Sequence, residues 1–170
     1  MKRLPYSLLV AASIMLGACA IPGTVPINAG DSEQTVLANL GVPTHRYQDG
    51  ENQLLEYARG PWGQQTYMAR IGADGKLISY EQVLTTQKFA TLQINVANKN
   101  DVLRTIGAPS DTSFLSLPQL EVWSYPYKEN GAWNSVMHVH FDRNGILRKM
   151  QNGPDLRFDP DSRWPFLRRL

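Results

Sequence analysis

The chain carries one short pattern twice, and a duplication of that kind limits the fold more than any single motif does. Residues 31–41 (DSEQTVLANLG) run into Val42-Pro43, and residues 99–107 (KNDVLRTIG) run into Ala108-Pro109. Val36, Leu37, Leu40, Gly41 and Pro43 match Val102, Leu103, Ile106, Gly107 and Pro109, each pair 66 residues apart. Tyr57 matches Tyr125 at 68, and Gly75 and Leu77 match Gly145 and Leu147 at 70, with Asp74 opposite Asn144. An offset that grows in steps of two is what small loop insertions in the second copy produce. The chain is a tandem duplication.

Each copy opens as a short amphipathic helix. Asp31 or Ser32 supplies an N-cap, with Gln34 three residues after Asp31 in capping-box spacing; Asn98 and Asp101 repeat that spacing in the second copy. Val36, Leu37 and Leu40 make one apolar stripe, and Val102, Leu103 and Ile106 make its counterpart. Gly41 and Gly107 suit the left-handed position just past a helix, and the Pro two residues later stops continuation. A helix of about ten residues does not persist alone in water, so it needs a surface to pack on. Strand patterns at 54–58, 66–71 and 76–84, and again at 120–125, 134–141 and 146–151, provide a sheet. Asp74-Gly75 and Asn144-Gly145 are read as type I′ hairpin turns, and residues 86–92 (TQKFATL) as an additional short helix before the second copy. The expected fold class is α+β: two tandem repeats, 31–85 and 86–153, each a helix or helix pair on a three-stranded antiparallel meander. Residues 154–170 hold Pro154, Pro160 and Pro165 and no sustained period, and are read as an irregular tail. Arg163, Trp164, Phe166, Arg168 and Arg169 suit anionic headgroups, but a poorly ordered terminus is the favoured reading.

The first residues read as an address. Lys2 and Arg3 precede an apolar stretch at 4–16, too short to span a bilayer, followed by Gly17-Ala18-Cys19. Leu16-Gly17-Ala18-Cys19 resembles the lipobox of bacterial lipoproteins, in which the cysteine thiol takes a diacylglycerol and cleavage frees its amine for a further acyl chain. Cys19 is the only cysteine in the chain and falls at the position that motif demands, so residues 1–18 are read as a lipoprotein signal peptide. Each buried CH₂ adds about 0.8 kcal/mol, and more than one acyl chain makes the anchor durable. Ala20, where enteric lipoproteins retained at the inner membrane carry Asp, implies by the same resemblance the bacterial outer membrane, facing the periplasm. Residues 19–30, with two Pro and two Gly, form a tether. The formal charge of +2 belongs to the signal: without Lys2 and Arg3, fifteen basic residues stand against fifteen acidic ones. A neutral body is not a nucleic-acid binder of the electrostatic kind.

The capped helix, the Val-Leu-x-x-Leu/Ile-Gly-x-Pro run, the aromatic or Leu-x-Tyr strand and the Asp/Asn-Gly hairpin together resemble the BamE (SmpA/OmlA) domain. That family is one of small lipoproteins of the outer-membrane β-barrel assembly machine. The tandem arrangement is similar to the β-lactamase inhibitor protein, which carries two copies of a similar unit. The resemblance spans residues 28–153 and implies an envelope protein that acts by binding another protein, through assembly or maintenance of the outer membrane. The alternative is a tethered inhibitor or sensor module that clasps a periplasmic enzyme through its sheet face. No binding residue is carried over from either.

Strand alternation supplies the candidate surface. Met137, Val139 and Phe141 form the apolar face of their strand, leaving Val136, His138 and His140 on the other. Met68 and Arg70 hold the corresponding face of the first copy. With helices on the apolar face, the face of Met68, Arg70, His138 and His140 is expected to be exposed and available for recognition. His138-x-His140 has chelate spacing, but only His45 remains as a further histidine, so no metal is expected. No nucleophile elbow, zinc-protease helix or phosphate loop occurs, and no enzyme activity or cofactor is expected beyond the acyl groups on Cys19. Trp62 is read as a packed loop residue and Trp133 as a core or rim residue flanking a strand, with the role of interface anchor as the alternative for both.

Overall fold

The computed structural model describes residues 26–60 and 62–158. The lipobox residues Leu16, Gly17, Ala18 and Cys19, and the tail beyond Phe158, lie outside them. The architecture is α+β, with two four-stranded antiparallel sheets in which neighbouring strands are consecutive in sequence. The first unit runs α1 (Glu33–Leu40), β1 (His45–Asp49), β2 (Asn52–Arg59), β3 (Gln65–Ile71) and β4 (Leu77–Gln82). The second runs α2 (Thr86–Phe89), α3 (Lys99–Ile106), β5 (Asp111–Leu115), β6 (Leu120–Glu129), β7 (Trp133–Phe141) and β8 (Leu147–Pro154), then a 3-10 turn at Leu156–Phe158. Among the described residues, no helix is long and apolar enough to cross a membrane.

The expected three-stranded meanders are therefore corrected to four strands each. β1 and β5 carry no alternation because they are edge strands. His45-Arg46-Tyr47-Gln48-Asp49 is exposed or half-buried throughout, and every residue of Asp111–Leu115 is exposed. They are held by backbone pairing, His45 to Glu56 and Asp111 to Ser124 at one end of each ladder. Hydropathy does not register such strands. The helix read at 86–92 is only one turn long, closed by a Thr85 N-cap that accepts from the Lys88 N–H.

The caps form with one shift. Ser32, not Asp31 with Gln34, caps α1, accepting from the Thr35 N–H, whereas Asn98 and Asp101 complete the expected capping box on α3. Gly41 and Gly107 do take positive φ, 83° in both. Their ψ values of −164° and −169°, however, lie outside the left-handed helical region anticipated. The hairpin turns are also not type I′. Gly75 and Gly145 have positive φ but Asp74 and Asn144 do not. Instead, Asp74 Oδ1 accepts from the Lys76 N–H, and Asp142 Oδ1 from Asn144 and Ile146, with a register shift beside each turn. A side-chain acceptor followed by one positive-φ glycine and a bulge replaces two positive-φ residues.

Each helix is held by its sheet. Val36 of α1 is fully buried against Leu55, Tyr57, Ala69 and Ile71. Val102 and Ile106 of α3, joined by Phe89 of α2, pack against Trp123, Tyr125, Val139 and Phe141. Burying a side chain of this kind contributes about 1.5–3 kcal/mol, which supplies what an eight-residue helix lacks by itself. Met137, Val139 and Phe141 occupy the inner face, as strand alternation predicts.

Candidate interaction surface

Each sheet has a second face, opposite the one its own helix covers, and the two second faces differ. In the first sheet this face carries Tyr47, Leu54, Glu56, Met68 and Arg70, placed side by side by the registers of β1, β2 and β3. It is not free. Helix α3 turns its apolar stripe to the second sheet and sets its Asp101, Arg104 and Thr105 side over this face. Between them lies a cleft of about 330 Å³ that also touches Leu54, Met68 and Arg70. Met68 is buried at 4% exposure, so its expected place on an open surface is corrected: the helix of the second repeat covers it.

The joint is anchored where α3 ends. The Glu56 carboxylate is 1% exposed and accepts from the Tyr47 hydroxyl at 2.5 Å and the Ala108 N–H at 3.0 Å. Burial and that carboxylate push the Tyr47 hydroxyl well above the usual phenol range. Gly107 leaves no room for a side chain, because a Cβ there would lie 2.9 Å from Glu56 Cδ and 3.1 Å from Thr66 Cγ2. At the rim, Arg70 pairs with Asp49 at 2.6 Å, and Arg104 reaches the same carboxylate at 3.9 Å. Gln64 donates to Asn134 across the units at 2.9 Å. Arg157 contacts the Trp62 carbonyl at 3.3 Å while Trp62 packs edge-on against Phe158. Trp62 is exposed yet packed in its loop, whereas Trp133, at the β6–β7 hairpin, is largely exposed, which fits the rim rather than the core.

The equivalent face of the second sheet carries Val122, Ser124 and Pro126 of β6 beside Val136, His138 and His140 of β7, with Lys149 and Gln151 of β8 alongside. Its centre is not open: Val122, Pro126 and His140 are buried and Ser124, Val136 and His138 half-buried, while Lys149 and Gln151 are exposed. Where the 3-10 turn reaches its edge, a pocket of about 380 Å³ is bounded by Ser124, Pro126, Val136, His138, Pro154 and Leu156. His138 is half-buried, its Nδ1 3.0 Å from Ser124 Oγ. His140 is not exposed as expected. It is 7% exposed, and both of its ring nitrogens lack a hydrogen-bond partner. Burial, with Lys149 and His138 nearby, holds its pKa below the ordinary histidine value. An unpaired buried ring is costly by itself. The sequence placed His138, His140, Met68 and Arg70 on equivalent faces correctly; it missed Glu56, Ser124 and the α3 cover. Among the described residues no group of three His, Cys, Asp or Glu side chains is arranged to hold a metal.

No protein-family model and no curated protein matches the chain. It is similar to the crystal structure of a DUF4309 family protein (YjgB) from Bacillus subtilis, at 12% identity over 73% of this chain and 78% of that one, with a TM-score of 0.32.

Proposed function

We propose that this chain is a lipid-anchored protein of the bacterial outer membrane that works without catalysis, as a BamE-like tandem module binding another protein in envelope assembly or maintenance. The second sheet's outer face carries the reading: it is equivalent to a face that is a packed joint in the first sheet, and its buried His140 has no partner. The lipobox residues and Cys19 supply the anchor in this reading, and the tether keeps the face near the membrane.

A photoreactive side chain at Gln151, exposed on this face, captures a protein in intact envelopes, while the same group at Gln48 on β1 does not. Equal capture at both positions, or none at Gln151, rejects the reading of this face. Capture of a single soluble periplasmic enzyme favours the inhibitor alternative. Palmitate labelling that is lost in Cys19→Ala supports the anchor, and labelling that survives the substitution removes it.

A further inference from the structure

One end of each sheet gathers two hairpins and the stretch of chain that leads into that unit's helix. In the second unit the row runs from Leu115 opposite Leu120, through Glu121 opposite Phe141 and Phe141 opposite Leu147, to Asn95 and Ala97, which bond the backbone of Leu147. The first unit repeats it, from Asp49 opposite Asn52, through Gln53 opposite Ile71 and Ile71 opposite Leu77, to Gly30 and Asp31. The two ends differ in chemistry. The β1–β2 loop is the polar Gly50-Glu51, held between Asp49 and Asn52. The β5–β6 loop is Ser116-Leu117-Pro118-Gln119, so the first two-residue step in the repeat offset falls here. Residues 112–120 hold no charged side chain. Leu117 is 98% exposed at the tip, and Phe114 and Leu115 are exposed behind it. Beside the start of β8, Ile94 and Val96 are exposed too, where the first copy has Asn28 and Gly30. One exposed leucine is ordinary, whereas apolar side chains gathered at one end of a sheet mark a contact surface.

The charges behind this end indicate what it meets. Lys99, Arg143, Arg148 and Lys149 stand there against Glu121 and Asp142. Lys99 pairs with Glu121 and Arg148 with Asp142, which leaves Arg143 and Lys149 without a carboxylate among the described residues. Arg143 donates instead to Gln119 of the loop at 2.7 Å, which holds its charge beside the apolar tip. A projecting apolar loop backed by unpaired cations matches a bilayer, where the acyl boundary lies just beneath anionic phosphates. We infer that this end of the second sheet is a membrane contact, at which the β5–β6 loop places Leu117, with Phe114 and Leu115, in the acyl boundary of a phospholipid bilayer while Arg143 and Lys149 meet its phosphates. The contact belongs to the folded body and needs no acyl group on Cys19. It adds an orientation that a tether alone does not give: the strands of the second sheet stand end-on to the bilayer.

The test uses the full chain with Cys19→Ser, which carries no acyl group and leaves an introduced cysteine as its only thiol. An environment-sensitive fluorophore is attached at Ser116→Cys or, as the control in the first unit, at Glu51→Cys; both positions are exposed. The vesicles are phosphatidylcholine, alone or with phosphatidylserine in equal parts, each made with and without bromine on the acyl chains. Residues 1–18 and 159–170 carry apolar and basic side chains of their own, so the readout is quenching at the labelled position rather than co-sedimentation. Brominated chains quench the label at residue 116 and leave the label at residue 51 unquenched. Leu117→Asp removes the quenching with an unchanged melting curve, since that side chain is exposed. Arg143→Glu weakens it more on the vesicles containing phosphatidylserine than on phosphatidylcholine alone. Absence of quenching at residue 116, equal quenching at both positions, or quenching that survives Leu117→Asp overturns the inference. A photoreactive group at Ser116 that captures a protein in intact envelopes, with no quenching on vesicles, overturns it as well and makes this end a protein contact. Quenching at residue 116 alongside palmitate labelling that survives Cys19→Ala keeps this surface and removes the anchor; the reverse pair of results keeps the anchor and removes the surface.

Discussion

The outer faces of the two sheets hold equivalent positions in the two repeats, yet their polar groups are satisfied differently. In the first sheet, Glu56 satisfies two donors, and a glycine lets the α3 terminus approach to contact distance. In the second, the hydroxyl of the equivalent Ser124 pairs with its neighbour His138, and the buried ring nitrogens of His140 lack a partner among the described residues. A residue type at a strand position therefore does not state by itself whether the face is a surface. The next element in the chain decides it for the first sheet, where α3 follows and reaches the outer face.

The largest test of this contrast compares the two glycines. Gly107→Ala is expected to cost about 3–4 kcal/mol in urea unfolding, since it combines backbone strain with a clash against Glu56. Gly41→Ala, with the same φ and open space around it, is expected to cost only the strain, about 1–2 kcal/mol. Equal losses would mean that the joint is loose. Next comes Glu56→Ala, which leaves the Tyr47 hydroxyl and the Ala108 N–H unpaired and is expected to cost about 2–3 kcal/mol, against about 0.5 kcal/mol for Ser124→Ala at the equivalent position of the second sheet.

A pH series sharpens the other side. Because the folded His140 holds its proton less tightly than the unfolded one, the unfolded state binds more protons near the ordinary histidine pKa. Stability is then highest above that value and falls as pH drops through it toward the lowered folded pKa. His140→Leu is expected to flatten this slope, and a slope that persists would place the titration elsewhere. The smallest effect is expected for Arg104→Ala: its contact with Asp49 is long, its 2.6 Å pair with Asp101 is a partly exposed bridge within one helix, and thermal melts should shift by no more than about 1 kcal/mol in stability.

The register of residues 31–43 with 99–109 was legible because caps, apolar spacing and Gly-x-Pro stops are local. The same holds for the central strands, whose alternation reports one buried face. β1 and β5 were not legible, because an exposed edge strand buries too little to leave a period. The turn types were missed for a related reason: Asp74 and Asp142 close the hairpins by side-chain hydrogen bonds, and an Asp-Gly or Asn-Gly pair serves either geometry.

By itself, the sequence determined that two copies of one helix-and-meander unit exist, which residues cap and end their helices, and which strand faces are equivalent. These depend on neighbours within a few residues or on comparison of one copy with the other. Only the tertiary structure decided that α3 serves both sheets at once, that Met68 and Glu56 lie in a joint, and that His140 is buried without a partner. Those outcomes depend on which element crosses a face from far along the chain, and no local pattern records that distance.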